Sequence, residues 1–446
     1  MEPPLPPARS SAATQTDAGT TPAELQFFTH GGRRYVRPYH FDFQTHVKGR
    51  WVGRTLLQVF QQEFPYQPQH YFPKAIAAGR LTACSRDGRP VLPATLLRQG
   101  DAITHIVHRH EPSVLEPAVR IITDDDDVVV VVKSCSVPVH VSGRFRRNTV
   151  VHILDLVHGF PNLLNVNRLD RVTSGIVILA RTKDAARRLT DQIQGDGVVR
   201  KEYLAKVAGR FPDGDVVCNA PLAIDPKTRS SFVPSSHAEG GAAAAGDDTG
   251  NEKREDSAGV KVKPASTKFR LLMTAADGSS SLVHCVPITG RTHQIRVHLQ
   301  YLGHAIVDDP LYGPPDTEDS ISRKRAAPFG EHVDAPAMSA ARMDDEGEGA
   351  QSEAVELAAV AAAGTAEVWT DTSLDPICAH CPAIEPSSEN EADAGDGVCL
   401  HAFAYSCPSW CYVCPPELVP DWAQGLKPEA FSELARLRET ARAPPQ

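Results

Sequence analysis

The sequence predicts an α+β protein: a sheet of short strands with helices between them, preceded by a smaller module. Three stretches carry that expectation. Val128 to Val132 is a run of five valines, and Ile176 to Leu179 is an apolar run fenced by Gly175 and Arg181. Lys201 to Val207 alternates polar and apolar residues. Unbroken β-branched runs of this length read as strands buried on both faces, and alternation reads as a strand buried on one. At 446 residues the chain has room for two or three domains, and its apolar fraction permits a sizeable core.

Residues 1–24 are rich in Pro, Ala, Ser and Thr, with Glu2 early and no apolar segment of the kind a secretion signal needs. They read as a disordered tail. Residues 25–112 form a basic arm and a small module. Within it, Leu56, Leu57 and Phe60 fit a helix, Ala75 to Ala78 a second one ended by Gly79, and Arg80 to Thr82 a strand. Arg98 to Ile103 reads as a turn into another strand. Residues 118–425 form the larger domain. Asp124 to Asp127 is the turn before the valine strand, and Val150 to Val157 is a helix. Thr182 is an N-cap for a helix through Gln192. Thr292 is expected to cap a further helix that Gly303 ends, with Ile295, Leu299 and Leu302 on one face and His293, Arg296 and Gln300 on another. Segments 238–263 and 314–374 lack large apolar residues or carry dense acid, and read as disordered insertions. Residues 426–446 are a C-terminal tail or helix.

The net charge of −9 speaks against nucleic acid only if it is averaged over the chain. The acid concentrates in Gly246 to Asp256, Met343 to Glu356 and Glu385 to Asp396. Residues 33–54 instead carry Arg33, Arg34, Arg37, Lys48, Arg50 and Arg54 against the single Asp42, interleaved with Tyr35, Tyr39, Phe41, Phe43 and Trp51. Rings between cations suit single-stranded RNA, where bases stack and phosphates are neutralised. The same rings also suit an arm packed on a core. No run of 18 apolar residues exists, so no membrane-crossing helix is expected. Cytoplasm is the expected compartment, with nucleus and mitochondrion as alternatives.

The chemistry gathers at Asn165 to Arg181. Its polar half holds Arg168, Asp170 and Arg171, and its apolar half is the Ile176 strand, so Asp170 would be held at a fixed height beside the sheet. On this stretch alone, a surface turn in which Asp170 pairs with Arg168 or Arg171 is an equal reading. Asn-Arg-Leu-Asp170-Arg-Val-Thr-Ser-Gly, Lys-Glu-Tyr203 and Thr-Gly-Arg-Thr-His-Gln-Ile-Arg296-Val-His, with Asp309-Pro-Leu-Tyr-Gly313 after them, together resemble the RluA type of RNA pseudouridine synthase. Pro138-Val-His140 and Gly143-Arg144 are similar to that family's opening segment; Leu400-His-Ala402, Tyr405 and Pro420-Asp-Trp422-Ala423 are similar to its closing one. Residues 53–110 resemble the small RNA-binding fold of ribosomal proteins. With the basic arm, this is similar to the eukaryotic branch that acts on tRNA.

The resemblance implies a mixed, mainly antiparallel sheet and an isomerase that converts uridine to pseudouridine in RNA, in the anticodon arm of tRNA. The target base must leave its stack. The reaction involves no redox change or net hydrolysis, so neither a catalytic cofactor nor a bound nucleotide is expected, and the protein is expected to be a monomer. By the resemblance Asp170 acts at the anomeric carbon, Arg296 pairs with it, and Tyr203 lies against the uracil. Arg168, Arg171, Arg291 and His293 would contact the RNA at the site, and the six cations of residues 33–54 would contact it outside. Two positions depart from the family's pattern: Asn167 stands where His is usual, and Ser134 follows Lys133 where Pro is usual.

Six of the ten cysteines fall in the last seventy residues. Cys378-Ala-His-Cys381 and Cys411-Tyr-Val-Cys414 have the spacing of tetrahedral zinc, with Cys399, His401 and Cys407 as substitute ligands. A structural zinc and ordinary reduced thiols fit this pattern equally. A catalytically silent RNA-binding protein on the same fold is the rival function, and retention of Asp170, Tyr203 and Arg296 counts against it. A zinc-dependent nucleobase deaminase fails, because no His-x-Glu precedes a Pro-Cys-x-x-Cys.

Overall fold

The computed structural model describes residues 26–65, 67–195, 198–226, 228–234, 254–255, 261–314, 375, 378, 381 and 397–423. The expected tail 1–24, the segment 426–446 and residues 315–374 of the second insertion lie outside the described residues. The chain divides into two compact units. One contains residues 26–29 and 35–112 with Asp375, Cys378 and Cys381. The other contains residues 30–34, the described residues from 113 to 314, and 397–423.

The first unit runs β1 (Tyr39–His46), α1 (Leu56–Glu63), α2 (Tyr71–Ala77), β2 (Leu81–Cys84), β3 (Pro90–Val91) and β4 (Ala102–Arg109). Its sheet is antiparallel, in the order β1-β4-β2-β3. Helix α1 starts where the sequence allows a capping box. Gln58 N–H donates to the Thr55 hydroxyl, and the Gln58 side chain accepts from Thr55 N–H. Both helices bury one face on the sheet, and Trp51, Phe60, Phe72, Leu81 and Ile103 form the core between them.

The second unit is built on one large sheet. Its elements are β5 (Val119–Asp124), β6 (Val128–Lys133), α3 (Val150–His158), β7 (Ser174–Ala180), α4 (Lys183–Gln194), β8 (Arg200–Ala208) and β9 (Asp215–Cys218). There follow β10 (Thr267–Thr274), β11 (Ser280–Pro287), α5 (Gln294–Tyr301), β12 (Leu400–Cys407) and β13 (Trp410–Val413). The strand order is β9-β10-β11-β8-β12-β7-β6-β5, with Leu164–Asn165 pairing to β7 and β13 to β12. The sheet is mixed and mainly antiparallel, and the β7–β12 pair is parallel. The valine run and Ile176 to Leu179 are adjacent central strands, Val132 opposite Ile176 and Val129 opposite Leu179, and every residue of that register is buried. Gly175 sits at φ +122°, and a side-chain carbon there would lie 2.3 Å from the carbonyl oxygen of Ala402. Only glycine lets β7 and β12 approach so closely.

Three elements differ from expectation. Helix α5 begins at Gln294, and the residue before it is His293 in the left-handed region, φ 53°, in place of a Thr292 cap. The Gln294 side chain anchors this end instead. It accepts from Arg291 N–H and the Thr289 hydroxyl, and donates to Ser266 O and the Thr267 hydroxyl. The helix also has no exposed polar face from Gln294 to Leu299, all of which are buried. Within the expected insertion 238–263, residues 254–255 pair antiparallel with 261–262, and Lys263 exchanges backbone bonds with Leu222. Among the described residues, no helix is long and apolar enough to cross a membrane.

Candidate active site

Asp170 ends the loop that leads into β7, where Leu164–Asn165 already pairs with that strand and Thr173 N–H donates to Asp170 O. Asn167 continues the pairing with its side chain, its amide donating to Ile176 O at 3.3 Å and accepting from Ile178 N–H at 2.8 Å. The departure from His at this position is therefore a buried strand mimic that fixes the loop. A second fixture is Lys133, at the end of β6. It is fully buried, and its ammonium donates to Ser134 O at 3.0 Å and to Arg171 O at 3.1 Å, beside Asp170. Burial pushes its pKa down to about 7.

The Asp170 carboxylate is about one-third exposed, 31 %. Its Oδ2 accepts from Arg296 Nη1 at 3.3 Å and lies 3.6 Å from His293 Nε2. Arg296 is held more tightly on its other edge, where Nε and Nη2 donate to Asp309 at 2.7 and 2.8 Å. Burial opposes charge on both partners. The hydrogen bonds and mutual attraction nevertheless raise the guanidinium pKa and lower that of the Asp309 carboxyl. Asp309 Oδ1 also accepts from Leu311 and Tyr312 N–H. The tight turn behind it requires Gly313, where a side-chain carbon would meet Asp309 O at 2.3 Å. The Tyr312 ring covers the Arg296 guanidinium at 5.0 Å, and its hydroxyl meets His293 Nδ1 at 2.9 Å and accepts from Ser231 N–H. Burial lowers the His293 pKa and so favours the neutral ring.

Tyr203 lies on β8 at a register shift: Tyr203 faces Ala402 and Glu202 faces Ala404, leaving Phe403 as the extra residue on β12. Such a bulge re-aims a side chain. The Tyr203 hydroxyl meets the Tyr405 hydroxyl at 2.7 Å. Burial, then Tyr405 and Asp170, raise its pKa well above the usual phenol value, so it stays protonated at neutral pH.

The structure thus joins Asp170 and Arg296 by a hydrogen bond, brings His293 to 3.6 Å from the same carboxylate oxygen, and leaves Tyr203 close enough to feel the Asp170 charge. Arg168 is exposed and Arg171 half-buried over the Phe145 ring at 5.8 Å. Arg291 donates to Pro264 O at 3.0 Å. The outer cations fall into two groups. Arg33 is buried and donates to the Ser113 hydroxyl, and Arg34 is bidentate to the Glu116 carboxylate, so these two are tied to the side chains of Ser113 and Glu116 in place of an open basic face. Arg37 covers Phe28, Lys48 and Arg50 flank Trp51, Arg50 also pairs with Glu63, and Arg54 bonds neutral Gln62. Trp51 is itself core, so it is closed to base stacking.

Sequence reasoning gave no role to Asp309, Tyr312 or Lys133. A signal existed for the first: an arginine on a buried helix face needs a carboxylate partner, and Asp309 follows it within a turn-forming motif. The two cysteine pairs also separate. Cys378 and Cys381 gather with His108 and His110, all four ligand atoms within 4.8 Å of one another. Cys411 and Cys414 are not part of that group. They sit three residues apart along extended chain at β13, which sends their side chains to opposite faces, and Cys414 is buried in the core of its own unit.

A family match to RNA pseudouridylate synthase covers residues 127–301, the stretch holding Asp170, Tyr203 and Arg296. RNA pseudouridine synthase 7 of Arabidopsis thaliana is 38 % identical over 89 % of this chain and 88 % of its own length. The mouse pseudouridylate synthase RPUSD2 is 36 % identical over 90 % of this chain and 73 % of its own. The mitochondrial tRNA pseudouridine(32) synthase of Saccharomyces cerevisiae is 38 % identical over 65 % of this chain and 57 % of its own. With identity of that level along nearly the whole chain, and a family match over the stretch that carries Asp170, Tyr203 and Arg296, the chain belongs to the RNA pseudouridine synthases.

Proposed function

We propose that this enzyme isomerises a uridine in the anticodon arm of tRNA, with Asp170 as nucleophile and no cofactor. The observation that carries the reading is the one-sided grip on Asp170. Arg296 and His293 both approach Oδ2, so Oδ1 is the oxygen to present to a flipped nucleotide. Asp170 attacks the anomeric carbon as its bond to N1 breaks, and the uracil leaves with the electron pair. The base turns, carbon 5 bonds to the anomeric carbon, and the carboxylate is released. Carbon 5 then loses its proton and N1 gains one, so the sum is an isomerisation. Tyr203, kept protonated, lies where a hydroxyl relay between its own site and Tyr405 would move that proton. Arg168 and Arg171 meet the phosphates of the extruded nucleotide, and Arg37, Lys48 and Arg54 of the other unit also contact the RNA.

The tRNA reading is supported by the name of the yeast relative, which specifies tRNA pseudouridine(32). That relative is also named as mitochondrial, which sets organelle import against the cytoplasmic expectation; fractionation of the tagged full chain decides between them. The enzymatic test is tritium release from uracil carbon 5 in unmodified tRNA transcripts. Release by the native chain and none by Asp170→Ala is expected. Full release by the variant would sink the nucleophile, and undiminished release from a tRNA lacking its anticodon arm would sink the target.

A further inference from the structure

In the first unit, away from Asp170, four metal-binding side chains converge from segments some 270 residues apart. His108 is the penultimate residue of β4 and His110 follows the strand, while Cys378 and Cys381 come from far later in the chain. Residues two apart on extended chain share a face, so the His-x-His places both rings on one side. Their planes stand at 89°, centroids 4.9 Å apart. Cys381 Sγ lies 3.4 Å from His108 Nδ1 and 3.4 Å from His110 Nε2. A tetrahedral zinc with its usual bonds to sulfur and nitrogen would set that edge at about 3.5 Å. Cys378 N–H donates to Asp375 O at 3.0 Å, and Cys378 Sγ lies 3.9 Å from His108 O.

The segment is seated independently of any metal. The Asp375 carboxylate is buried, ion-paired with Arg80 and 3.4 Å from His40 Nε2. The approach of the cluster is therefore fixed by a second, charged anchor, and His108 is itself buried while the other three ligands are half-buried.

We infer that His108, His110, Cys378 and Cys381 form a zinc site of the Cys2His2 type that fastens Cys378 and Cys381 to the C-terminal end of β4. Four protein ligands leave no open position, so the ion is structural. Cys411 and Cys414 do not take part.

The test uses the full-length chain, purified without chelator on a tag that binds no metal. Elemental analysis is expected to find about one zinc per chain in the native protein and in Cys411→Ser, and close to none in Cys381→Ser or His110→Ala. Cys381→His, which offers zinc another ligand, is expected to keep the ion and so separates lost ligation from a lost fold. Cobalt(II) in place of zinc is expected to give the intense visible bands of a tetrahedral thiolate site, weakened by Cys378→Ser and untouched by Cys411→Ser. Chelation is expected to expose two further thiols to a titrating reagent. A native chain without zinc after zinc supplementation would overturn the inference. So would zinc lost on Cys411→Ser but kept on Cys381→Ser, or a disulfide joining Cys378 to Cys381.

Discussion

The cations around Asp170 and those around Trp51 are both arginines and lysines beside rings, yet they are held in opposite ways. Arg296 is 4 % exposed, locked edge-on to Asp309 and capped by Tyr312, and it spends one remaining N–H on Asp170. Lys48 and Arg54 are half-buried in the first unit: Lys48 lies over the Trp51 ring near the Glu63 carboxylate that Arg50 holds, and Arg54 bonds Gln62. The buried set has lost its freedom before any RNA arrives, so its charge orients. Lys48 and Arg54 are held less tightly and are only half-buried, so their charge attracts over distance and is screened by salt.

The largest effect that tests this contrast comes from Asp309→Ala. It leaves Arg296 buried without its main partner, and a loss of about 3 to 5 kcal/mol in unfolding free energy is expected from denaturant titration. A loss near zero would mean that the pair does not organise the site. Next is Arg296→Lys, which retains charge but abandons the two-pronged grip. Single-turnover rates are expected to fall roughly 100-fold with little change in RNA affinity.

Lys133 supplies a pH test. Unfolded, it gains its proton below the ordinary 10.5; folded, it gains it only below about 7. Between those values the unfolded chain binds more protons, so stability rises with pH. The burden of the buried charge is complete below pH 7 and fades above it. Relative to Lys133→Met, the native chain should gain about 2 to 3 kcal/mol between pH 7 and pH 9. Equal pH dependence in both proteins would show that the ammonium is not desolvated. The smallest effect belongs to the outer set. Lys48→Ala with Arg54→Ala is expected to flatten the salt dependence of tRNA binding by about 1 to 2 in logarithmic slope, with the single-turnover rate at saturating RNA unchanged. A changed rate would erase the distinction between the two regions.

Periodicity carried the strands and helices whose apolar faces are local. The valine run, Ile176 to Leu179 and the Thr182 cap all stand as written in the chain. Asp170 and Arg296 were legible for a different reason, since each sits in a dense motif. Partners distant in sequence were not. Nothing in Asp309-Pro-Leu-Tyr-Gly313 says which cation its carboxylate will meet. Lys133 looked like the polar end of a strand until its ammonium was found bound to two carbonyls. The cysteines show the limit most clearly. The same spacing occurs twice, but one pair follows a turn and converges while the other runs along a strand and diverges. Spacing counts residues; only conformation decides direction.

Asp375, Cys378 and Cys381 complete a unit whose other described residues end at 112, with the β6 to α5 portion of the other unit lying between in sequence. The contacts from Cys381 back to His108 and His110 span 273 and 271 residues. During synthesis the module's sheet emerges early, but its last anchors leave the ribosome roughly tens of seconds later at ordinary elongation rates. Until then His108 and His110 lack their partners, and most strands of the other sheet have already been made. Completion of the first unit is thereby timed by the growth of the second, so a nascent chain has Asp170 before it has a finished first unit.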